Sequence, residues 1–266
     1  MLPALFVSHG SPAFPMSEVP AKRFLETLPT LLDHRPLAIL VVSAHWESEE
    51  PAVNSVESNE TIHDFYGFPP ELYEITYPAP GSPGLAERVQ ALLGAAGLAV
   101  RVDHRRGLDH GAWVPLRLAF PAADIPVVQL SVQTERGAGY HHRLGQLLAP
   151  LREEGVLIVG SGSFTHDLSS FRQYRHAIDA PEPEWVTRFA NWMEEALREQ
   201  RLADLLAYRS LAPESVRNHP TEEHLLPIFV ALGAGGGRVH HLHKSSTHGI
   251  LRMDVYAFDA APEPGG

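Results

Sequence analysis

Several histidines in this chain stand directly behind short apolar runs. His45 is the clearest case, because the residues before it (36–44) are almost all apolar or small. His9 and His166 follow similar runs, the second after a few small residues. Neutral imidazole is a common ligand for zinc and iron, and its pKa near neutrality suits it to general acid–base work. The three side chains are therefore candidates for a metal site or for proton transfer.

The apolar runs before these histidines predict buried β-strands. They are too short for a comfortable helix, rich in valine and isoleucine, and without polar alternation. Residues 20–32, 83–96 and 140–151 carry apolar side chains at helical spacing. This alternation predicts an α/β fold, a single domain with a mainly parallel or mixed central sheet flanked by helices. Ligands bind at the carboxyl ends of parallel strands in such sheets, so histidines distant in sequence can meet there.

A further histidine, His224, lies at a predicted helix start, with Thr221 as the N-cap in residues 220–227. Because such positions present side chains on a rigid scaffold, His224 joins the three strand-end histidines as a possible ligand of one mononuclear metal site. Nearby carboxylates can bind the same metal or fix a histidine tautomer. These are Glu47, Asp167, Glu222 and Glu223. The alternative is that each histidine is an ordinary hydrogen-bonded residue.

The C-terminal stretch has a different pattern. Apolar and polar residues alternate from 250 to 258, which predicts a half-exposed, antiparallel strand at the edge of the sheet. We expect the domain to span 1–259. Residues 260–266, rich in alanine, proline and glycine, are predicted to form a disordered tail.

Composition narrows the class of function. The chain of 266 residues has 21 basic and 32 acidic residues, a formal net charge of -11, which argues against binding nucleic acid or an anionic membrane. It has no cysteine, so disulfides, thiolate catalysis and cysteine-bound zinc are excluded. The N-terminus lacks a signal-peptide pattern, and no apolar run approaches the roughly 18 residues of a membrane span. We expect a cytoplasmic protein with a small-molecule or protein partner, and the oligomeric state stays open.

A second group of candidates lies in loops. Residues 61–83 are rich in proline and aromatic residues, which predicts a packed pocket wall. His63 in this segment and His110 in a later loop each neighbour an aspartate, and we expect both at the mouth of the sheet, where they can bind substrate. The alternative is that each is only a turn residue. A His-rich tract near the C-terminus is expected to lie mainly on the surface, with His243 or His248 reaching the site.

A set of short motifs, spread over nearly the whole chain, carries a family resemblance. They are Ser8-His9-Gly-Ser-Pro, Ser43-Ala-His45-Trp46, Ile62-His63-Asp64-Phe65-Tyr66-Gly-Phe-Pro, Tyr77-Pro-Ala-Pro-Gly-Ser-Pro, Asp109-His110-Gly-Ala-Trp113, Gln129-Leu-Ser131, Thr165-His166-Asp-Leu and Pro220-Thr-Glu-Glu-His224-Leu-Leu-Pro. In this order they resemble the LigB-like class III extradiol ring-cleavage dioxygenases, and most closely the 4,5-DOPA extradiol dioxygenase branch. Each motif alone would be a weak signal.

The resemblance implies one divalent metal per chain, bound by His9, His45 and His224. It implies His166 as the acid–base residue, and we assign His110 to catalysis beside it. The expected substrate-binding residues are His63, Phe65, Tyr66 and His243. Better-studied relatives use two histidines and one glutamate, whereas the third position here is His224. Three histidines with an open position suit Zn(II) as well as Fe(II).

Three functions remain as hypotheses at this point. The leading one is an Fe(II)-dependent extradiol dioxygenase that inserts both atoms of dioxygen into a catechol, DOPA-like or another, and opens its ring. The second is a zinc-dependent hydrolase at the same site, with His166 or Glu47 as the base. The third is a binding protein on the same scaffold, since a fold does not fix a function.

Overall fold

The computed structural model describes residues 1–174 and 177–259, so the predicted tail at 260–266 lies outside the described residues. The strands are Ala4–Ser8 (β1), Ala38–Glu47 (β2), Ala52–Asn54 (β3), Arg101–Asp103 (β4), Val127–Val132 (β5), Val156–Gly162 (β6), Arg238–His243 (β7), Ser246–Thr247 (β8), Leu251–Arg252 (β9) and Val255–Asp259 (β10). The α-helices are Pro20–Thr27 (α1), Pro83–Ala95 (α2), His110–Ala119 (α3), Gly137–Leu148 (α4), Leu168–Tyr174 (α5), Glu184–Arg198 (α6), Leu202–Leu206 (α7), Tyr208–Leu211 (α8), Ser215–Asn218 (α9) and Leu226–Gly235 (α10). Within these ranges no helix is long and apolar enough to cross a membrane.

The central sheet is mixed and has eight strands in the order β4-β3-β5-β2-β6-β1-β10-β7. Its middle strands β5, β2, β6 and β1 are parallel to one another. β10 runs antiparallel to both β1 and β7, and β8 and β9 form a separate antiparallel pair. The predicted α/β fold, with a mixed sheet in a single domain, is confirmed.

Helices cover both faces of this sheet, which explains the unbroken apolar run before His45. Leu40 and Val42 of β2 pack in one core cluster with residues of α2, α4, α6 and α10. Ile39 and Val41 point to the other face and pack with residues of α1 and α3. Successive side chains of a strand point to opposite faces, so a strand covered on both sides must be apolar at every position.

The segment predicted as one strand, 250–258, forms two strands: β9 pairs with β8, and β10 is antiparallel to its neighbours as predicted. The predicted place at the edge of the sheet is wrong, because β10 lies between β1 and β7 and the His-rich β7 forms the edge. The polar residues of the alternating pattern are buried in ion pairs, because Arg252 contacts Asp254 at 2.7 Å and Asp254 contacts His241 at 2.8 Å. The alternation therefore reflects paired buried charges and not a solvent-exposed face.

The helix predicted from residue 220 begins later, at Leu226, and Thr221 is not its N-cap. The Thr221 hydroxyl donates to Glu223 Oε1 at 3.1 Å instead. The residues before the helix form turns that lie on β6, where the N–H of Ser163 donates to the carbonyl of His224 at 2.8 Å. This tertiary hydrogen bond overrides the local capping signal.

Candidate metal centre

Adjacent parallel strands bring the first two histidines to one edge of the sheet. His9 follows the last residue of β1, and its backbone N–H donates to the carbonyl of Gly162 in β6 at 3.0 Å. His45 lies two residues beyond Ser43, which pairs with Ser161 of β6. Both side chains therefore stand at the carboxyl ends of these strands, as the sequence predicts.

His224 reaches the same edge from the turn before α10. A Cβ atom on Gly162 would lie 2.0 Å from the carbonyl oxygen of His224, and one on Gly160 would lie 2.2 Å from that of Pro227. Such separations are far below any van der Waals contact. Glycine at these two positions of β6 therefore lets the turn lie directly on the strand backbone and delivers His224 to the site.

The Nε2 atoms of these three histidines converge. His45 Nε2 is 3.0 Å from His9 Nε2 and 3.2 Å from His224 Nε2. A single ring nitrogen can take part in only one of these contacts as a hydrogen bond, since it carries either one proton or one lone pair. A tetrahedral metal with nitrogen ligands at about 2.0–2.1 Å holds them about 3.3–3.4 Å apart, close to these separations.

Hydrogen bonds at Nδ1 fix the tautomers of two of these rings. The Ser161 hydroxyl donates to the carbonyl of Gly111, so it accepts from His9 Nδ1 at 3.1 Å. The Glu223 carboxylate accepts from His224 Nδ1 at 2.8 Å. With the proton on Nδ1, a neutral imidazole has its lone pair on Nε2. The Nε2 lone pairs of His9 and His224 thus both face Nε2 of His45. These nitrogen donors fit a bound cation.

The electrostatics of the site keep these rings neutral. Burial, followed by the charges of neighbouring histidines, lowers the pKa of His9 and His224 well below its usual value. Burial is also the main reason why the pKa of His45 falls to about 4. At neutral pH all three imidazoles are therefore in the form that binds a metal.

A buried carboxylate stands behind His45. Asp109 accepts a hydrogen bond from the Ser43 hydroxyl at 2.7 Å and forms an ion pair with Arg106 at 2.9 Å. It also caps α3, because its side chain accepts from the N–H of Ala112. Since Ser43 Oγ accepts in turn from the backbone N–H of His45 at 3.2 Å, this network holds the strand end that presents His45.

His166 lies flat against His224, with ring centroids 3.4 Å apart and an angle of 13° between the rings. Its backbone N–H donates to the carbonyl of Asn218 at 2.8 Å. Burial lowers the pKa of His166 to about 3, with the charge of His219 as the next cause. His166 is therefore neutral at neutral pH and can accept a proton before it gives one.

His110, the first residue of α3, lies on the other side of the cluster. Its ring centroid is 3.9 Å from that of His45 and 5.4 Å from that of His9. One ring nitrogen of His110 and ring nitrogens of His9 and His45 lie within 4.8 Å of one another. A second group with the same spacing of possible ligand atoms consists of His166, Glu223 and His224. The structure thus brings His110 and His166 to the three converging histidines.

Residues 61–83, the aromatic loop, form a wall beside His110. The Phe65 ring is 5.9 Å from His110 and 5.2 Å from Tyr73, centroid to centroid. His63 lies 5.7 Å from Phe65 and donates from Nε2 to the carbonyl of Ile75 at 2.9 Å. The predicted packed wall is present, and it includes two of the predicted substrate-binding residues.

Other predicted residues lie differently. Tyr66 is 92% exposed on the aromatic loop. The ring of His243 in β7 stacks on Phe24 at 4.8 Å, and its Nε2 atom lies 2.8 Å from the hydroxyl of Ser245. Glu47, the base of the hydrolase hypothesis, is exposed and accepts a hydrogen bond from Thr134 at 2.5 Å. Within residues 1–174 and 177–259, none of the contacts found for these three side chains is with a converging histidine.

The sequence does not single out two residues that orient histidines of the site. Ser161, which accepts from His9 Nδ1, lies in a run of small residues before His166. Asp64, next to His63 in sequence, accepts from His110 Nδ1 at 2.9 Å. The available signal for Asp64 was its place between two residues that were themselves predicted to line the site.

The fold and the histidine cluster together define a class, an α/β protein with a histidine cluster that could hold a metal ion at the carboxyl edge of its sheet. Comparison with protein families gives the particular family. Residues 3–256 match the family described as the catalytic LigB subunit of aromatic ring-opening dioxygenase. The chain belongs to this family.

Individual relatives agree with this assignment. A protein of Beta vulgaris named 4,5-DOPA dioxygenase extradiol is 46% identical over 258 residues, 95% of each chain. One of the same name from Escherichia coli (strain K12) is 41% identical over 241 residues, 89% of this chain and 86% of the relative. The crystal structure of an uncharacterized Escherichia coli K12 protein superposes with a TM-score of 0.77 at 34% identity, and covers 97% of this chain and 100% of that one. The predicted class of enzyme, an extradiol aromatic ring-opening dioxygenase, is confirmed.

Proposed function

We propose that the chain opens the ring of a catechol beside a hydroxyl group, with both atoms of dioxygen entering the product and Fe(II) bound by His9, His45 and His224. The observation that carries the proposal is the convergence of their Nε2 atoms, two of which are held as lone-pair donors by Ser161 and Glu223. The names of the relatives in Beta vulgaris and Escherichia coli support a catecholic substrate such as DOPA.

The bound metal would polarise the two catechol oxygens and supply the redox chemistry with dioxygen. His166 is neutral at neutral pH, so a ring nitrogen has a lone pair for a proton from a catechol hydroxyl, whose acidity the bound metal would raise. The low pKa of His166 then favours return of this proton later in the reaction. Its stacking on His224 holds the ring in place beside the ligands. Preorganised acid–base groups of this kind contribute roughly 10²–10⁴-fold to the rate.

His110 acts with His166 from the other side of the cluster. Because its Nδ1 donates to Asp64, Nε2 is the nitrogen that remains to accept a hydrogen bond from the second hydroxyl. The ring of Phe65, edge-on to His110, offers an apolar surface for a planar substrate, with His63 behind it. Tyr66 and His243 would contact only those parts of a substrate that extend beyond this wall.

Oxygen uptake after metal reconstitution tests the proposal. Metal-free protein is loaded anaerobically with Fe(II) or with Zn(II) and mixed with a panel of catechols and oxygen. We expect the Fe(II) form to consume one dioxygen per catechol and to give a yellow ring-opened product. The Zn(II) form should be inactive, since zinc has no redox chemistry.

A pair of variants controls for the site. His45→Ala should abolish metal binding and oxygen uptake, whereas His104→Ala should not, because His104 is exposed and its ring nitrogen lies 3.3 Å from the carbonyl oxygen of Ser55, on a different loop from the site. Absence of uptake across the whole panel by the Fe(II) form would refute the proposal. Oxygen-independent hydrolysis of esters or amides by the Zn(II) form would favour the hydrolase hypothesis instead.

A further inference from the structure

Asp64 holds His110 through both oxygens of its carboxylate. Oδ1 accepts from the backbone N–H of His110 at 2.9 Å, and Oδ2 accepts from His110 Nδ1, also at 2.9 Å. The two bonds come from the same residue, so they fix the ring relative to its own backbone. Oδ2 is also 3.6 Å from Nδ1 of His45. The Asp64 carboxylate therefore contacts both His110, an acid–base residue, and His45, a candidate metal ligand.

The loop that bears Asp64 is anchored without this carboxylate. The N–H of Ile62 donates to the carbonyl of Leu108 at 2.8 Å, and the N–H of Leu108 donates to the carbonyl of Glu60 at 2.8 Å. The indole N–H of Trp113 donates to the carbonyl of Ile62 at 3.0 Å. Because these bonds hold the loop against α3 on their own, the contact between Asp64 and the ring of His110 is not needed to place the loop.

The contact with the ring has a chemical consequence. A carboxylate at Nδ1 selects the tautomer of a neutral imidazole that carries its proton there, and leaves the lone pair on Nε2. Burial raises the pKa of the Asp64 carboxyl, but hydrogen bonds and charge from His110 outweigh this and hold the pKa below its usual value, so the group stays an acceptor. An amide in its place can donate to Nδ1 and favour the opposite tautomer.

We propose that Asp64 is a positioning residue of the reaction, which holds His110 in the tautomer with the proton on Nδ1 and a free Nε2 toward the substrate. The role of His110 toward substrate rests on the proposed function. The tautomer itself does not, and it can be measured without turnover.

Nitrogen-detected NMR of the zinc-loaded protein, with ¹⁵N-labelled histidine, tests the tautomer directly. Comparison with His110→Ala assigns the signals of His110. In the wild type we expect a protonated Nδ1 and an unprotonated Nε2 on His110, and in Asp64→Asn we expect the opposite tautomer or a mixture. Asp124→Asn is the matched control, since Asp124 pairs with exposed Arg35, and it should leave the signals unchanged. A wild-type His110 with its proton on Nε2, or an unchanged tautomer in Asp64→Asn, would overturn the proposal.

Kinetics of the Fe(II) form give the second test. Asp64→Asn should lower kcat by about 10²-fold or more and change KM much less, because the group acts on proton transfer and not on the binding surface. In a His110→Ala background the same substitution should have no further effect on kcat, since it acts through His110. Multiplicative losses in the double variant would contradict the proposal. If the wild type shows no oxygen uptake, the proposed function fails while the NMR result still decides the role of Asp64.

Discussion

Replacing Glu223 by glutamine changes the hydrogen-bond partner of His224, a candidate metal ligand, and leaves His224 itself unchanged. The carboxylate of Glu223 accepts from His224 Nδ1 at 2.8 Å and is the only acceptor found at that nitrogen in the described part of the chain. Glutamine has the same size and can still accept this bond through its amide oxygen. It lacks the negative charge that raises the basicity of the imidazole and favours the tautomer with Nε2 free.

The expected loss follows from this contact. Removing an orienting partner of a metal-binding histidine typically weakens metal affinity about 10–100-fold, which corresponds to roughly 1.4–2.7 kcal/mol. Because His224 is buried, we expect a loss of metal affinity near the upper end of this range, since a charge-assisted hydrogen bond is stronger away from water.

Competition with a chromophoric chelator measures the effect as the Kd for Zn(II) or Fe(II). Glu222→Gln is a matched control from the same turn, since Glu222 accepts from the Tyr208 hydroxyl at 2.6 Å and, in the part of the chain that the structure describes, has no hydrogen bond to a candidate ligand histidine. It should lower the free energy of unfolding slightly and leave the metal Kd unchanged. An unchanged Kd in Glu223→Gln, or an equal loss of metal affinity in both variants, would mean that Glu223 does not orient His224.

Two further predictions concern packing and pH. A Cβ atom on Gly111 would lie 3.0 Å from Cδ2 of His45, so Gly111→Ala should weaken metal binding roughly tenfold or more, whereas Gly139→Ala, with nothing within 4 Å, should not. Burial lowers the pKa of His141 and His219 to about 4, so the unfolded chain binds more protons than the folded one between about pH 4 and 6.5, and stability falls as the pH falls. Lowering the pH from 7.5 to 5 should reduce the free energy of unfolding by roughly 2 kcal/mol for each of these two histidines. Urea titrations of metal-free protein measure this loss, and it should be smaller in His141→Gln.

Each of these predictions has a result that contradicts it. Equal metal affinity in Gly111→Ala and Gly139→Ala would mean that the strand end of His45 yields without cost. The same dependence of stability on pH in His141→Gln and wild type would mean that His141 is not buried in its neutral form.

Much of the fold was predictable because its signals are local. The apolar runs before His9, His45 and His166 report burial on both faces of a sheet, and parallel strands must end at a common edge. The meeting of these histidines thus follows from strand pattern and topology alone. His224 was predictable only in part, since its position depends on two glycines of β6 that let a turn approach the strand backbone.

The remaining features depend on contacts between distant segments. The ion pairs of Arg252, Asp254 and His241 make the buried segment 250–258, which holds β9 and β10, look half exposed in sequence. The contact between Asp64 and His110 joins two loops and has no periodicity to reveal it. Burial also changes the acid–base character of His166, whose pKa falls to about 3 from the near-neutral value that the sequence suggested.

We propose that His9, His45 and His224 bind one metal through Nε2. Anomalous diffraction at the iron edge, from crystals of the protein loaded anaerobically with Fe(II), locates this metal. We expect a single anomalous peak per chain, bonded to these three Nε2 atoms. A peak bonded instead to His110 or to Glu223, or placed away from the sheet edge, would contradict it.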